Sequence, residues 1–188
     1  MDMSFENLLR LSGLSLTIGG LLATAGWLLF AVFDPTHQLT THPRWLPLNA
    51  LVISGGLFMA LGLPGFYARQ ATEAGILGLI GFVLLFVGIV IPYVTVQSIE
   101  AATAPAVPAR MMLWVQVGGP SLFLGLVISG VATWRAGVFP AAAGVLLLLS
   151  ALFGLLTVIE GVPVLLQRNL VSTVFTITMA WLGFLLMK

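Results

Sequence analysis

The stretch AGILGLIGFVLLFVGIVIPYVTVQSI, residues 74–99, contains no Asp, Glu, Lys, Arg or His. A helix needs about 20 apolar residues to cross a hydrocarbon core of about 30 Å, and this run supplies more than that. Buried in lipid, its backbone can satisfy every N–H and C=O only by coiling into a helix or by closing into a barrel. Barrel strands alternate in polarity over about ten residues, and this run does not. Residues 74–99 therefore predict a membrane-spanning helix.

Working outward, five more intervals lack an ionisable group other than tyrosine: 11–33, 45–68, 111–134, 136–159 and 169–187. The chain has 188 residues, of which 60% are hydrophobic and 7% charged. A soluble domain carries about 25% charged residues, so this chain cannot build a charged shell. All of its acids and bases fall between the apolar runs or at the chain ends. They are Asp2, Glu6, Arg10, Asp34, Arg44, Arg69, Glu73, Glu100, Arg110, Arg135, Glu160, Arg168 and Lys188. The expected fold is an all-α polytopic transmembrane bundle in one domain, 1–188. Its six spans are placed at about 11–33, 46–67, 75–96, 113–134, 138–159 and 170–187.

The connections follow from local chemistry. Phe5, Leu8 and Leu9 within residues 2–10 suit a short interfacial helix. Ala23-Thr24-Ala25 is similar to a signal cleavage site. The apolar run continues to Phe33, however, and the segment before it is acidic, so an uncleaved helix is expected. Asp34-Pro35 stops the first span. Residues 68–74 predict a short turn that leaves spans two and three antiparallel. Pro92 predicts a bend near the end of span three. Residues 97–112, with Pro105 and Pro108, form the longest connection. Arg135-Ala136-Gly137 predicts a tight turn. Trp45 and Trp114 are expected at one membrane interface, Tyr67 and Trp134 at the other.

Six spans place both termini on one side. Arg10, Arg69, Arg135 and Lys188 lie there, against Arg44, Arg110 and Arg168 opposite. The excess of positive charge favours cytoplasmic termini.

Asp34, His37, His42, Glu100 and Glu160 share the predicted outer side, with Tyr93, Gln97 and Gln116 near that end of their helices. Imidazole with carboxylates is a ligand set for a divalent metal or an acid–base pair. Against this, the spacing of His37 and His42 matches no recognised metal motif, and solvated loop residues are the plainer reading. Ser121, Gly125 and Ser129 recur every four residues and form a smooth helix face. That face suits packing within the chain or association with a second copy. Gly75, Gly78 and Gly81 form another such stripe. Gly19-Gly20, Gly55-Gly56 and Gly118-Gly119 lack the strand and Lys-Ser/Thr of a phosphate loop, and no cofactor is expected. Cysteine is absent and net charge is +1, which exclude thiol chemistry and an electrostatic footprint for nucleic acid.

Gly62-Leu63-Pro64-Gly65-Phe66-Tyr67-Ala68-Arg69-Gln70-Ala71, followed by Gly75, Gly78 and Gly81-Phe82, resembles stretches in small six-helix bacterial membrane proteins of unassigned function. Thr133-Trp134-Arg135-Ala136-Gly137-Val138-Phe139-Pro140, leading into Ala143-Gly144-Val145-Leu146, resembles them too. The resemblance covers about a third of the chain and implies a bacterial inner membrane. It transfers no activity, cofactor or site residue.

Three classes of function are compatible with these features. A non-catalytic accessory, scaffold or lipid-interacting protein is favoured, because ion-coupled pumps carry ionisable groups inside their spans. A transporter or channel for a small neutral or apolar solute would need a continuous polar cavity. An interfacial enzyme acting on lipid would need the outer His and carboxylate groups to converge.

Overall fold

The computed structural model describes residues 5–33, 45–103, 108, 111–157 and 169–188, and among these every regular element is helical. Helix α1 is Phe5–Phe33, α2 is Trp45–Ile89, α3 is Gln97–Thr103, and α4 is Met111–Ala136. Helix α5 is Ala141–Gly154 and α6 is Val171–Leu186. A π-helical segment, Val90–Val96, joins α2 to α3 without a break. A 3₁₀ turn, Leu155–Thr157, extends α5.

Three of the described helical elements are long and apolar enough to cross a membrane: Phe5–Phe33, Trp45–Thr103 and Met111–Ala136. Two apolar helices, Ala141–Thr157 and Val171–Leu186, are shorter. The six separate long spans expected from the charge-free intervals are therefore not found as such. The second and third intervals fall within one element that the non-helical Gly75 divides, and Arg69 and Glu73, good helix formers, lie in the coil before it. The helices in the fifth and sixth intervals are too short to count as such spans. Pro140, in an extended conformation (φ −51°, ψ 141°), caps α5 and starts it at Ala141. The two short helices measure about 26 and 24 Å at 1.5 Å per residue. Residues 5–10, read as an interfacial helix, are the first turns of α1.

The element Trp45–Thr103 is a hairpin. Straight, it would measure about 89 Å, three times the hydrocarbon core. Gly75 breaks it with φ 56° and ψ −147°. The rings of Tyr67 and Phe82 then stack with centroids 5.2 Å apart, a separation of fifteen positions that a continuous helix would hold about 22 Å apart. Deeper in the bundle, a Cβ added to Gly56 would lie 2.7 Å from the Cβ of Tyr93. The first arm, 45–74, and the second arm, 76–103, thus run antiparallel as expected, but residues 68–74, read as the turn, are helical and the reversal falls at Gly75.

Pro92 produces the π segment in place of a plain bend. Proline has no N–H and its ring clashes with the carbonyl four residues back, and a wider turn relieves both. The Thr95 hydroxyl donates to the Val90 carbonyl at 3.2 Å. The helix continues to Thr103, so residues 97–103, expected in a connection, are helical.

Glycine sets the packing, since only close backbone approach gives helices in lipid a large contact. Helix α1 presents two glycine faces. A Cβ on Gly19 would lie 2.5 Å from the Met59 nitrogen and 2.7 Å from the Gly55 carbonyl oxygen, both on the first arm. A Cβ on the adjacent Gly20 would lie 2.5 Å from the Ala180 nitrogen and from the Thr176 carbonyl oxygen, both on α6. Side-chain hydrogen bonds follow these contacts. Ser15 donates to the Phe58 carbonyl at 2.8 Å, Thr17 to the Ala180 carbonyl at 3.3 Å, and Thr24 bonds Thr176 at 2.7 Å. The second arm meets α4 where Gly81 faces Ser129 and Gly125 faces Leu85. Gly125 and Ser129, two members of the smooth face read from the sequence, are thus covered by the chain itself. The Ser121 hydroxyl donates to the Val117 carbonyl of its own helix at 2.7 Å. Gly137, with φ 65°, turns α4 into α5, where Gly130 meets Gly144. Ser150 of α5 bonds Thr178 of α6 at 3.1 Å. The order α1, first arm, second arm, α4, α5, α6 closes on itself as a ring.

Candidate functional site

A half-open cleft of about 670 Å³ lies at one end of this ring. It is bounded where α1, the second arm and α5 finish and where α4 and α6 begin. From Val115 to Leu126 it follows α4 for about 17 Å. Its walls are mainly apolar. Trp27, Tyr93 and Phe175 form an aromatic cluster that joins α1, the second arm and α6. Trp27 meets Tyr93 edge to face at 6.2 Å, and Tyr93 meets Phe175 at 5.5 Å. Phe123, Leu126 and Ala151 line the remaining sides. The π segment places Pro92, Tyr93 and Val96 on the wall.

Among the described residues the polar groups of the lining are few: the Trp27 indole N–H, the Tyr93 hydroxyl, Gln97, Glu100, Ser150, Thr157 and Ser172. Ser150 and Thr157 are engaged with the protein, the second through a 2.7 Å bond to the Gly154 carbonyl. Gln97 differs. Its side chain is 4% exposed, and its Oε1 has no hydrogen-bond partner. A buried polar atom left unpaired costs about 1–3 kcal/mol, so an unpaired acceptor on a cavity wall is a place for a donor. Asn49 is fully buried with neither end of its amide paired. The Gly56–Tyr93 register, extended seven residues along each arm, carries Asn49 to the level of Glu100.

The outer-side residues of the sequence reading are only partly described. Glu100 is half-buried on the cavity wall. Asp34, His37, His42 and Glu160 lie outside the described residues. Among the described residues no three His, Cys, Asp or Glu gather into a group that could hold a metal. Tyr93 and Gln97, read as lying near that end, both line the cavity, whereas Gln116 is exposed. Of the residues expected at the interfaces, Trp45 is buried, Tyr67 half-buried, and Trp114 and Trp134 exposed.

No family model, curated protein or solved structure matches the chain. The outer surface of α1, both arms, α4, α5 and α6 is apolar: Leu28, Leu61, Ile76, Leu113, Leu152 and Phe184 are all exposed. No described cation lines the cavity, and Arg10, Arg69, Arg135 and Lys188 belong to the opposite end.

Proposed function

We propose that the chain is a six-pass protein of a bacterial inner membrane that binds an apolar, lipid-derived molecule, as a non-catalytic lipid-interacting protein. The carrying observation is the cavity. Its volume falls within the range of about 300–1,000 Å³ typical of ligand sites, and its mainly apolar walls with a few polar groups are what such sites have. A solute pathway would need a polar route, and the walls around Trp27, Phe123 and Phe175 favour an apolar occupant. The six passes are supported by the hairpin at Gly75 and by apolar surface on all helices. The short α5 and α6 can be accommodated by local thinning or by their flanking residues.

The ligand reading is tested with a long-chain alkane bearing a diazirine, photolysed with the protein in phosphatidylcholine nanodiscs. The expected label is on cavity residues such as Phe123 and Phe175. Gly154→Phe should reduce it about tenfold, because a Cβ there meets only the Phe123 ring edge at 3.9 Å and a larger side chain extends into open space. Ala142→Phe, exposed at the other end of α5, should leave it unchanged. Label spread evenly over lipid-facing residues and indifferent to Gly154→Phe overturns the reading.

The topology is tested with single cysteines in this cysteine-free chain. Ala102→Cys should react with an impermeant maleimide in intact cells, and Thr72→Cys only after permeabilisation. Both residues are exposed. Reaction of the two from the same side rules out a crossing between them. The reverse pattern keeps the crossings and inverts the orientation.

A further inference from the structure

We infer that an acyl chain of a membrane phospholipid fills the cleft from the side, passing between α4 and α5 while the rest of the lipid stays in the leaflet. The inference rests on the cleft being a ligand site, and it specifies the source of the occupant and its route.

The two helices touch at one end and part at the other. Away from the cleft, a Cβ on Gly144 would lie 2.7 Å from the Gly130 carbonyl oxygen and 3.0 Å from the Trp134 nitrogen. At the cleft, a Cβ on Gly154 would meet only the Phe123 ring, at 3.9 Å, and one on Gly119 would meet nothing within 4 Å. Helix α4 keeps instead to the second arm, where a Cβ on Gly118 would lie 2.6 Å from Cγ2 of Ile91. Helices α4 and α5 thus form a V whose open end is the cleft.

Exposure locates the mouth in that V. Trp27, Tyr93, Leu126 and Phe175 are buried and form the floor. The exposed lining residues are Val115, Gly119 and Pro120 of α4 and Leu155 and Thr157 of the turn that extends α5. The rim is apolar apart from the Thr157 hydroxyl, which already donates to the Gly154 carbonyl. Val117, Leu124 and Leu152, exposed on the same two helices, continue the rim into the apolar outer surface. A path that is apolar from that surface to the floor suits hydrocarbon, whereas a hydrated solute would lose its water there without replacement.

Depth agrees with a hydrocarbon chain. Pro120 is the tenth residue of α4, so the mouth reaches about 14 Å along that helix, close to half of a hydrocarbon core of about 30 Å. Gly118 faces Ile91 and Pro92, and Gln97 lies about 9 Å further toward the bundle end than Ile91. The chain therefore lies on Tyr93, Phe123 and Phe175 and leaves the Gln97 amide on the headgroup side. Because the mouth is open, the headgroup and the second chain need not enter.

Trp27, on the floor, is the reporter. A variant with Phe in place of Trp45, Trp114, Trp134 and Trp181 is placed in nanodiscs of phosphatidylcholine brominated in mid-chain, and its fluorescence is compared with that in the unbrominated lipid. Strong quenching is expected. Gly119→Phe, set in the mouth where a Cβ has room, should weaken it about threefold by standing where the chain enters. Leu124→Phe, exposed outside the lining, should leave it unchanged. Quenching indifferent to Gly119→Phe overturns the lateral route. Quenching by a brominated long-chain alkane but not by the brominated phospholipid overturns the source and keeps the ligand reading. Quenching by neither refutes the ligand reading itself, and cross-linking of Val115→Cys between copies by a bis-maleimide then identifies a second chain at the mouth. If Gly119→Phe does not fold, Val115→Cys carrying a bulky maleimide added after reconstitution supplies the same block. If the four Phe replacements prevent folding, labelling of Phe123 and Phe175 in the native chain by a phosphatidylcholine with a diazirine in one acyl chain gives the same comparison.

Discussion

Gly20→Leu is expected to yield no monodisperse folded protein. The atoms a Cβ would strike at 2.5 Å, the Ala180 nitrogen and the Thr176 carbonyl oxygen, belong to the backbone of α6. A backbone cannot turn aside as a flexible side chain can, so α6 must move away as a whole. That separation takes with it the Thr24–Thr176 bond at 2.7 Å and the Thr17–Ala180 contact at 3.3 Å. Overpacking a core costs about 1–3 kcal/mol, and more where nothing can yield. Whole proteins are stable by only about 5–15 kcal/mol. Gly119→Leu supplies the control, because a Cβ there meets nothing within 4 Å. The measurement is the monodisperse fraction on size exclusion in mild detergent, followed by the thermal midpoint of what remains. Equal behaviour of the two variants would show that α1 and α6 do not pack as described.

Gly75→Ala is expected to lower stability by about 1–3 kcal/mol for a different reason. Here space is ample, since a Cβ would meet nothing within 4 Å. The obstacle is the backbone. A φ of 56° with ψ of −147° lies outside the small left-handed region open to other residues. The two arms can stay antiparallel around alanine only if that strain is held in the turn. Gly137, with φ 65°, follows a helix end, where asparagine is an accepted substitute. Gly137→Asn should therefore be the milder change. Unfolding by denaturant in detergent, read by tryptophan fluorescence, checks both. A Gly75→Ala protein as stable as the parent would mean that the hairpin turns elsewhere.

The charge-free intervals made the helical, apolar-surfaced character of the chain legible. They located helix ends less well. Arg69 and Glu73 end an apolar run, yet the helix continues through them to the turn at Gly75, because a charged side chain does not end a coil. Glu100 misled in the same way, and the helix continues to Thr103. Pro92 was readable as a disturbance but not as a π segment, since the widening depends on what the helix packs against. The tightest glycine contacts were hidden. Gly19 and Gly20 are adjacent and face different helices, which no spacing rule within one helix reveals. Tyr93, Gln97 and Glu100 were legible as polar groups near one end. That they line a common space depends on Trp27, Phe123 and Phe175, which come from three other helices.

The closing contact of the ring joins residues far apart in time as well as in sequence. Thr24 and Thr176 are separated by 152 positions. A ribosome adding about 5–20 residues per second needs roughly 8–30 s to deliver the second after the first. Through that interval Gly20 and Thr24 are already made and their partner helix is not. The α1–α6 contact therefore cannot form until α6 has been made, late in synthesis.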